Sequence, residues 1–250
     1  MQRNGFLIFI PTYNELENVE ILYNQIKSLN LDVDFLFLDD NSPDGTGQLI
    51  DKMAVQDKTV FVIHREKKNG IGSAHQDGIR WAYEKKYAYL ITMDCDFSHS
   101  PIYLIDFMRY APEYDVVVGS RYMQEKSLLG WNRLRKALTT LGHFCTDNLL
   151  KMPFDATGAF RCYALERIPQ NIFELIQTKG YSFFFESLFV LNLNSYSIKE
   201  FPINLPARTY GHSKMHLKDV FHSFLRLCVT YLKIVTKQNT YLHISRSNKN

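Results

Sequence analysis

The sequence predicts an α/β protein built on a mostly parallel, doubly wound sheet. Apolar runs typical of buried strands alternate with segments whose apolar residues recur every three or four positions, as on the buried face of a helix. Two of the strand-like runs end in paired carboxylates, Asp39-Asp40 and Asp94-Cys95-Asp96. With 250 residues, 46% of them hydrophobic, the chain has enough apolar material for the core of one large domain.

The first half of the chain has the pattern of successive strand and helix units. The predicted strands lie at 6–10, 35–38, 60–63, 88–93 and 115–118. Helices are predicted at 16–29, around 49–53, at 73–86 and after the Ser100-Pro101 pair. Two of these helices start with the spacing of a capping box, at Asn14 with Glu17 and at Ser73 with Gln76. Strands that alternate with helices favour parallel pairing through right-handed crossovers.

The second half is less regular, and its order does not predict how its strands pair. We predict a long helix at 131–150, a strand near 159–163, two aromatic-rich helices and a strand at 197–203. From 217 to 236, apolar residues keep helical spacing with Arg226 and Lys233 between them. This pattern predicts a C-terminal amphipathic helix that either packs on the domain or lies on a membrane.

Composition excludes several classes of protein. A net charge of +3 is too small to indicate a nucleic-acid partner. The four cysteines form no CxxC pair and the N-terminus lacks a secretory signal, so we expect a cytoplasmic setting. No run of 18 apolar residues occurs, so we expect any membrane contact to be peripheral.

The paired carboxylates indicate the chemistry. In open α/β sheets, ligands bind outside the carboxyl ends of the strands. Clustered carboxylates at that edge suit a hard divalent cation, which prefers oxygen ligands and bridges to phosphate. The sequence therefore predicts metal-assisted transfer from a nucleotide.

Five stretches occur in a fixed order along the chain, namely Ile10–Glu15 (IPTYNE), Asp39–Thr46 (DDNSPDGT), Met93–His99 (MDCDFSH), Val118–Tyr122 (VGSRY) and Phe160-Arg161. Together they resemble the family-2 glycosyltransferases, specifically the dolichol-phosphate (polyprenyl-phosphate) mannosyltransferases, over about residues 5–215. The resemblance implies a glycosyltransferase-A fold, with a catalytic domain at 1–216 and a C-terminal amphipathic helix with a polar tail at 217–250.

The resemblance also implies an activity, which is inverting transfer of mannose from GDP-mannose to a dolichyl or undecaprenyl monophosphate. The implied cofactor is Mg²⁺ or Mn²⁺. The implied place of action is the cytosolic face of a membrane, which the protein contacts peripherally or through a small membrane-anchoring subunit. No nucleic acid is expected among the partners.

Site residues are implied by the same resemblance. Catalysis is expected to depend on Asp94, Asp96 and Arg121, the metal to be held by Asp94, Asp96 and Ser98, and the acceptor phosphate to be bound by Arg121, Arg135 and Thr139. Arg135 and Thr139 are four residues apart, so a helix would place them on one face. The implied donor contacts are Pro11, Tyr13, Glu15, Leu38, Asp40, Asp94, Cys95, Asp96, Arg121, Arg208 and Lys214.

Two alternatives stay open at this point. One keeps the fold but uses a UDP-sugar with a polyprenyl-phosphate or glycan acceptor. Phe184 and His143, which stand where the family often has Gln and Asn, leave the sugar and the acceptor undecided. The other alternative is a non-catalytic nucleotide-binding subunit of a membrane complex. Such a subunit is expected to have lost its carboxylates, whereas Asp94 and Asp96 are present.

Overall fold

Seven strands form one sheet, which helices flank on both faces. The structure is a computed structural model that describes residues 5–124, 127–128, 130–131, 133–206, 217–236 and 241–242, with the backbone alone at 133–135, 217–221 and 234–235. The strands are β1 (Phe6–Thr12), β2 (Val33–Asp39), β3 (Val60–His64), β4 (Tyr89–Thr92), β5 (Val116–Ser120), β6 (Arg161–Ala164) and β7 (Ile198–Pro202). The helices are α1 (Val19–Ser28), α2 (Thr46–Gln56), α3 (Ile71–Glu84), α4 (Leu104–Tyr110), α5 (Arg133–Leu150), α6 (Asn171–Glu174), α7 (Phe183–Leu193) and α8 (Leu217–Val235), and a 3₁₀ turn at Pro101–Tyr103 precedes α4.

The sheet has the strand order β3-β2-β1-β4-β6-β5-β7. All neighbouring strands are parallel except β6, which runs antiparallel to both β4 and β5. The prediction of a mostly parallel sheet is therefore confirmed. Because β6 is reversed, its first residue, Arg161, lies opposite Thr92 of β4 and Val118 of β5. The loop before β6 thus reaches the edge where the parallel strands end.

The core forms two layers, one on each face of the sheet. Leu7 and Phe9 of β1 pack in a cluster that includes residues of α3 and α7. Ile8 and Ile10 point to the opposite face, in a cluster that includes residues of α1, α2 and α4. This alternation follows from the strand period of two, and burial on both faces explains why the strands are apolar throughout.

Both predicted capping boxes are wrong. Helix α1 begins at Val19, and Asn14 lies in a turn with a φ of 53° that docks on another loop. Helix α3 begins at Ile71 after Gly70, whose φ of 95° favours glycine. A Cβ at Gly70 would lie 2.6 Å from the Lys179 carbonyl oxygen, so close packing against that loop, rather than a cap, determines how α3 starts.

Helix α8 packs on the rest of the chain through part of its surface. Leu227 is buried in the core, and Arg226 Nη2 donates to Glu186 Oε1 of α7 at 2.6 Å. Phe224 and Leu232 are exposed instead. None of the helices in the described ranges combines the length and the apolar character needed to span a bilayer. The boundary between residues 216 and 217 stays a prediction.

Candidate active site

The carboxylates after β2 have different roles. Asp39 accepts hydrogen bonds from the Ser42 backbone N–H at 3.1 Å and from the Ser42 hydroxyl at 2.5 Å, so it stabilises the turn that follows the strand. Asp40 is bound instead by Arg65, whose Nε donates to Asp40 Oδ1 at 2.5 Å. Both carboxylates are therefore engaged within the protein, and the role of Asp40 as a donor contact stays a prediction.

The loop after β1 is fixed on the turn after β2. The backbone N–H of Asn14 donates to Ser42 Oγ at 3.0 Å, and that of Glu15 donates to Thr46 Oγ1 at 2.9 Å. Lys68 Nζ lies 4.1 Å from the centre of the Tyr13 ring. Tyr13 and Glu15, two of the predicted donor contacts, are thereby placed beside the loop that carries Asp40.

Pro11 and Leu38, two further predicted donor contacts, are paired across β1 and β2. Leu38 is fully buried, so it can offer only its backbone to a ligand. The predicted donor residues on the first two strands therefore occupy one short stretch of the carboxyl edge.

The second carboxylate pair lies in a tight turn after β4. Ser98 donates to Asp96 Oδ1 from its backbone N–H at 3.1 Å and from its hydroxyl at 2.6 Å. Phe97, between them, has a left-handed φ of 60°. Asp96 is buried, whereas a third of the Asp94 side chain is exposed (33%). Ser98, predicted as a metal contact, stabilises Asp96 in this arrangement, and its role as a metal ligand stays a prediction.

His99 organises the same turn from inside. Its Nδ1 accepts a hydrogen bond from the Asp94 backbone N–H at 2.9 Å, and its ring stacks on Phe160 at 4.6 Å. Burial lowers the pKa of His99 and outweighs the opposing charges of Asp94 and Asp96, so the ring is neutral. An accepting Nδ1 places the proton of the neutral ring on Nε2.

Arg121, at the end of β5, forms a buried ion pair with Asp155. Arg121 donates to Asp155 from Nε at 2.7 Å, from Nη2 at 2.5 Å and from its backbone N–H at 3.0 Å. Burial would raise the pKa of Asp155, but the Arg121 charge and hydrogen bonds outweigh it, so the pKa lies below its ordinary value. Burial would lower the pKa of Arg121, but the charge and hydrogen bonds of Asp155 outweigh it and raise the pKa, and the charge of Asp94 in the β4 turn adds to that increase.

Helix α5 is joined to this cluster through Tyr122. The Tyr122 hydroxyl donates to the Thr139 carbonyl at 3.1 Å, and its ring stacks on His143 at 3.8 Å. Thr139, a predicted acceptor contact, therefore lies near the end of β5. Of Arg135 the backbone alone is described, as part of α5, and Arg208 and Lys214 lie outside the described residues.

The carboxylates after β4 fit a divalent cation that binds together with a nucleotide. Asp94 and Asp96 supply hard oxygen donors, which suit Mg²⁺ or Mn²⁺. Within the described part of the chain, no group of three or more His, Cys, Asp or Glu side chains could hold a metal by itself. Phosphate oxygens of a bound nucleotide would complete the coordination. Cys95 is buried in the core, so it can contribute only its backbone.

Sequence reasoning missed Arg65, His99 and Asp155. Arg65 follows β3 directly. The rule that ligands bind at the carboxyl ends of parallel strands, which singled out Asp40, therefore applied to Arg65 as well. His99 carries no spacing signal, because it acts on a backbone N–H five residues earlier in the chain. Asp155 precedes its strand, and only the reversed direction of β6 brings it to this edge.

The chain is similar to a protein family and to two named proteins over most of its length. The profile of Glycosyl transferase family 2 matches residues 7–169. Undecaprenyl-phosphate mannosyltransferase of Micrococcus luteus is 34% identical over 210 residues, which cover 84% of this chain and 86% of that protein. Polyprenol monophosphomannose synthase of Mycolicibacterium smegmatis is 34% identical over 224 residues, which cover 88% of this chain and 84% of that protein.

Solved structures show the same fold at lower identity. Glucosyl-3-phosphoglycerate synthase of Mycobacterium tuberculosis, in complex with Mn²⁺, UDP and glucosyl-3-phosphoglycerate, matches with a TM-score of 0.63 and 15% identity over 92% of this chain and 79% of that one. A mannosyltransferase of Pyrobaculum calidifontis, in complex with GDP-Man and Mn²⁺, matches with a TM-score of 0.52 and 14% identity over 98% of this chain and 71% of that one.

Proposed function

The chain belongs to glycosyl transferase family 2, and we propose that it transfers mannose from GDP-mannose to a polyprenyl monophosphate. It is a glycosyltransferase with the glycosyltransferase-A fold, which leaves the non-catalytic alternative without support. The observation that carries the proposal is the match, over most of both chains, to two proteins named for a polyprenyl-phosphate mannose product or acceptor. GDP-mannose as the donor is our inference.

The nucleophile in this proposal is the acceptor phosphate itself. A phosphate monoester has its second ionisation near pH 6, so at neutral pH the acceptor is already a dianion for the most part and needs no general base. One of its oxygens attacks the anomeric carbon while the bond to the GDP oxygen breaks. Attack in line with the leaving group inverts the anomeric centre.

In such a reaction, cationic groups that bind phosphate oxygens contribute more than a general base. Arg121 is always protonated and can bind phosphate oxygens. Among the described residues, its side-chain hydrogen bonds use Nε and Nη2, which leaves Nη1 for a phosphate. A divalent cation bound at Asp94 and Asp96 would neutralise the charge that develops on the leaving diphosphate.

Transfer of radiolabelled sugar to polyprenyl phosphate tests the proposal. GDP-mannose, UDP-glucose and UDP-GlcNAc are each supplied with the same acceptor, with and without EDTA. We expect labelling of the lipid from GDP-mannose alone, and we expect EDTA to abolish it. Labelling from a UDP-sugar would contradict the proposed donor, and transfer that EDTA leaves unchanged would contradict the proposed metal.

Membrane contact is proposed through α8 and the neighbouring α5. On α8, Phe224, Leu225 and Leu232 are exposed, and Leu141 and Phe144 are exposed on α5. A lipid acceptor requires a protein that meets the bilayer surface. Exposed apolar side chains on and beside α5, the helix that carries the predicted acceptor contacts, would provide that contact. The cytosolic face and an anchoring subunit stay predictions.

Three serine substitutions test this surface. We expect the combined change Phe224→Ser, Leu225→Ser and Leu232→Ser to weaken vesicle binding about tenfold or more, because each lost side chain removes apolar area worth roughly 1 kcal/mol from contact with lipid. The measurement is co-sedimentation with phospholipid vesicles. The matched control is Ile21→Ser, Val55→Ser and Ile105→Ser, which removes three exposed apolar side chains from α1, α2 and α4. Equal binding by both triple variants would contradict the assignment.

A further inference from the structure

Arg65 is a buried cation that belongs to no predicted site. Its side chain is 7% exposed, and both its Nε and its Nη2 contact Asp40 Oδ1. Its Nη1 donates to Ser73 Oγ at 2.7 Å and lies 3.3 Å from Asp77 Oδ2. Its backbone N–H donates to the Asp39 carbonyl at 2.9 Å. The guanidinium is therefore fixed between the end of β2 and the first turns of α3.

These contacts affect the protonation and the orientation of the Asp40 carboxyl. Burial raises its pKa, and the nearby charge of Asp39 adds to that increase. Arg65, by hydrogen bonding and charge, and Lys68, by charge, limit that increase, so the pKa of Asp40 lies above its ordinary value but below the one that burial alone would give. Without Arg65, the buried carboxyl would take up a proton more readily and would lose the bonds that orient it.

We propose that Arg65 is a positioning residue that holds Asp40 as an ionised hydrogen-bond acceptor for the donor base, so that the pair selects guanine over adenine. This inference depends on the proposed function, in which Asp40 contacts the donor nucleotide. Guanine presents adjacent N–H groups on its pairing edge, and a carboxylate can accept from them. Adenine presents a ring nitrogen acceptor there, which a buried carboxylate would leave unsatisfied and repel.

Nucleotide binding tests the inference without catalysis. Isothermal titration with GDP, with ADP and with UDP, in the presence of Mn²⁺, is compared for the wild-type chain, Asp40→Asn, Arg65→Met and Arg80→Met. Arg80 is the matched control, because it is a cation of α3 that also pairs with Asp77, at 2.8 Å, but its side chain is 58% exposed. We expect Arg65→Met to lower the ratio of GDP affinity to ADP affinity about tenfold or more, as Asp40→Asn does, and Arg80→Met to leave it unchanged.

Two further measurements separate positioning from a merely structural role. If Arg65 acts through Asp40, the double variant Asp40→Asn with Arg65→Met has the same affinity ratio as Asp40→Asn alone. In Arg65→Met, the ratio of GDP affinity to ADP affinity should also rise as the pH moves from mildly acidic to mildly alkaline, because Asp40 then loses its proton, while the wild-type ratio stays nearly constant. The ratio is used because the terminal phosphates of GDP and ADP both ionise near pH 6. Among the described residues, the charged groups that act on Asp40 are Arg65, Lys68 and Asp39. If Arg65→Met does not fold, Arg65→Lys keeps a charge beside Asp40 and is expected to give an intermediate ratio.

The outcomes distinguish this inference from the proposed function. A folded Arg65→Met chain with the wild-type ratio and pH profile, beside an Asp40→Asn chain that has lost the ratio, would overturn the role of Arg65 alone. An unchanged ratio in Asp40→Asn would remove Asp40 from the donor site and overturn both assignments. Binding of UDP but not of GDP by the wild type would contradict the proposed donor and the selection of guanine together. Uracil also presents an N–H, so Arg65→Met would then still be expected to weaken UDP binding.

Discussion

Replacing Asp96 by asparagine is expected to reduce mannosyl transfer roughly 100- to 1,000-fold, because the side chain loses the charge with which it would hold the metal. A bound cation that neutralises the leaving diphosphate supplies several kcal/mol at the transition state, and each 1.4 kcal/mol is a factor of about ten in rate. Asparagine keeps an oxygen that can accept from the Ser98 hydroxyl, which donates to Asp96 at 2.6 Å. The fold should therefore be retained.

Initial rates with Mn²⁺ titrated over a wide range measure the effect. Asp51→Asn is the control, because Asp51 is a half-exposed carboxylate on α2 that pairs with His64. We expect that control to keep the wild-type rate and the wild-type dependence on Mn²⁺. If Asp96→Asn retained the wild-type metal dependence, Asp96 would not be a metal ligand.

Asp155→Asn is expected to damage both stability and activity. The Asp155 side chain is fully buried, so the substitution leaves the Arg121 guanidinium inside the protein without a counter-charge. Removing one partner of a buried ion pair typically costs about 3 to 5 kcal/mol. It also replaces one of the two oxygens that accept hydrogen bonds from Arg121, so the guanidinium is less well oriented and transfer should fall even at temperatures where the variant is folded.

A partly buried ion pair away from the site provides the control for this change, with the Arg167 side chain 35% exposed and the Asp115 side chain 12% exposed. Asp115 accepts from Arg167 Nε at 2.9 Å, just before β5 begins and so at the opposite edge of the sheet from Arg121. Asp115→Asn should lower the free energy of unfolding but leave transfer per folded molecule unchanged. Thermal unfolding and transfer rates for both variants make the comparison. Equal activity in the two variants would mean that Asp155 has a structural role only.

How far the sequence predicts this site depends on which way each strand runs. Asp40 and Asp96 could be predicted because they follow parallel strands, whose carboxyl ends share one edge. Asp155 could not, since the second half of the chain carries no pattern that shows β6 to be reversed. The ion pair of Asp40 with Arg65 could not be predicted either, because it depends on the register of β2 on β3. The periodicity of apolar residues gives no information on that register.

The first residues of the helices could not be predicted from local spacing either. The Ser73 and Gln76 pair has capping-box spacing, yet Ser73 Oγ donates to the Gly70 carbonyl at 2.9 Å and Gln76 Nε2 donates to the Ile176 carbonyl at 3.2 Å. The Ile176 carbonyl belongs to a segment a hundred residues later in the chain, which local spacing cannot anticipate. Tertiary contacts therefore decided these termini.

The position of β6 in the sheet affects how the chain folds during its synthesis. Strands β4 and β5 follow each other in the sequence, but the strand that joins them in the sheet is synthesised some forty residues after β5. Until it emerges from the ribosome, β4 and β5 each have an unpaired edge that can recruit another chain. Pairing of β6 also brings Asp155 to Arg121, so a nascent chain cannot form this part of the candidate site until β6 has been made.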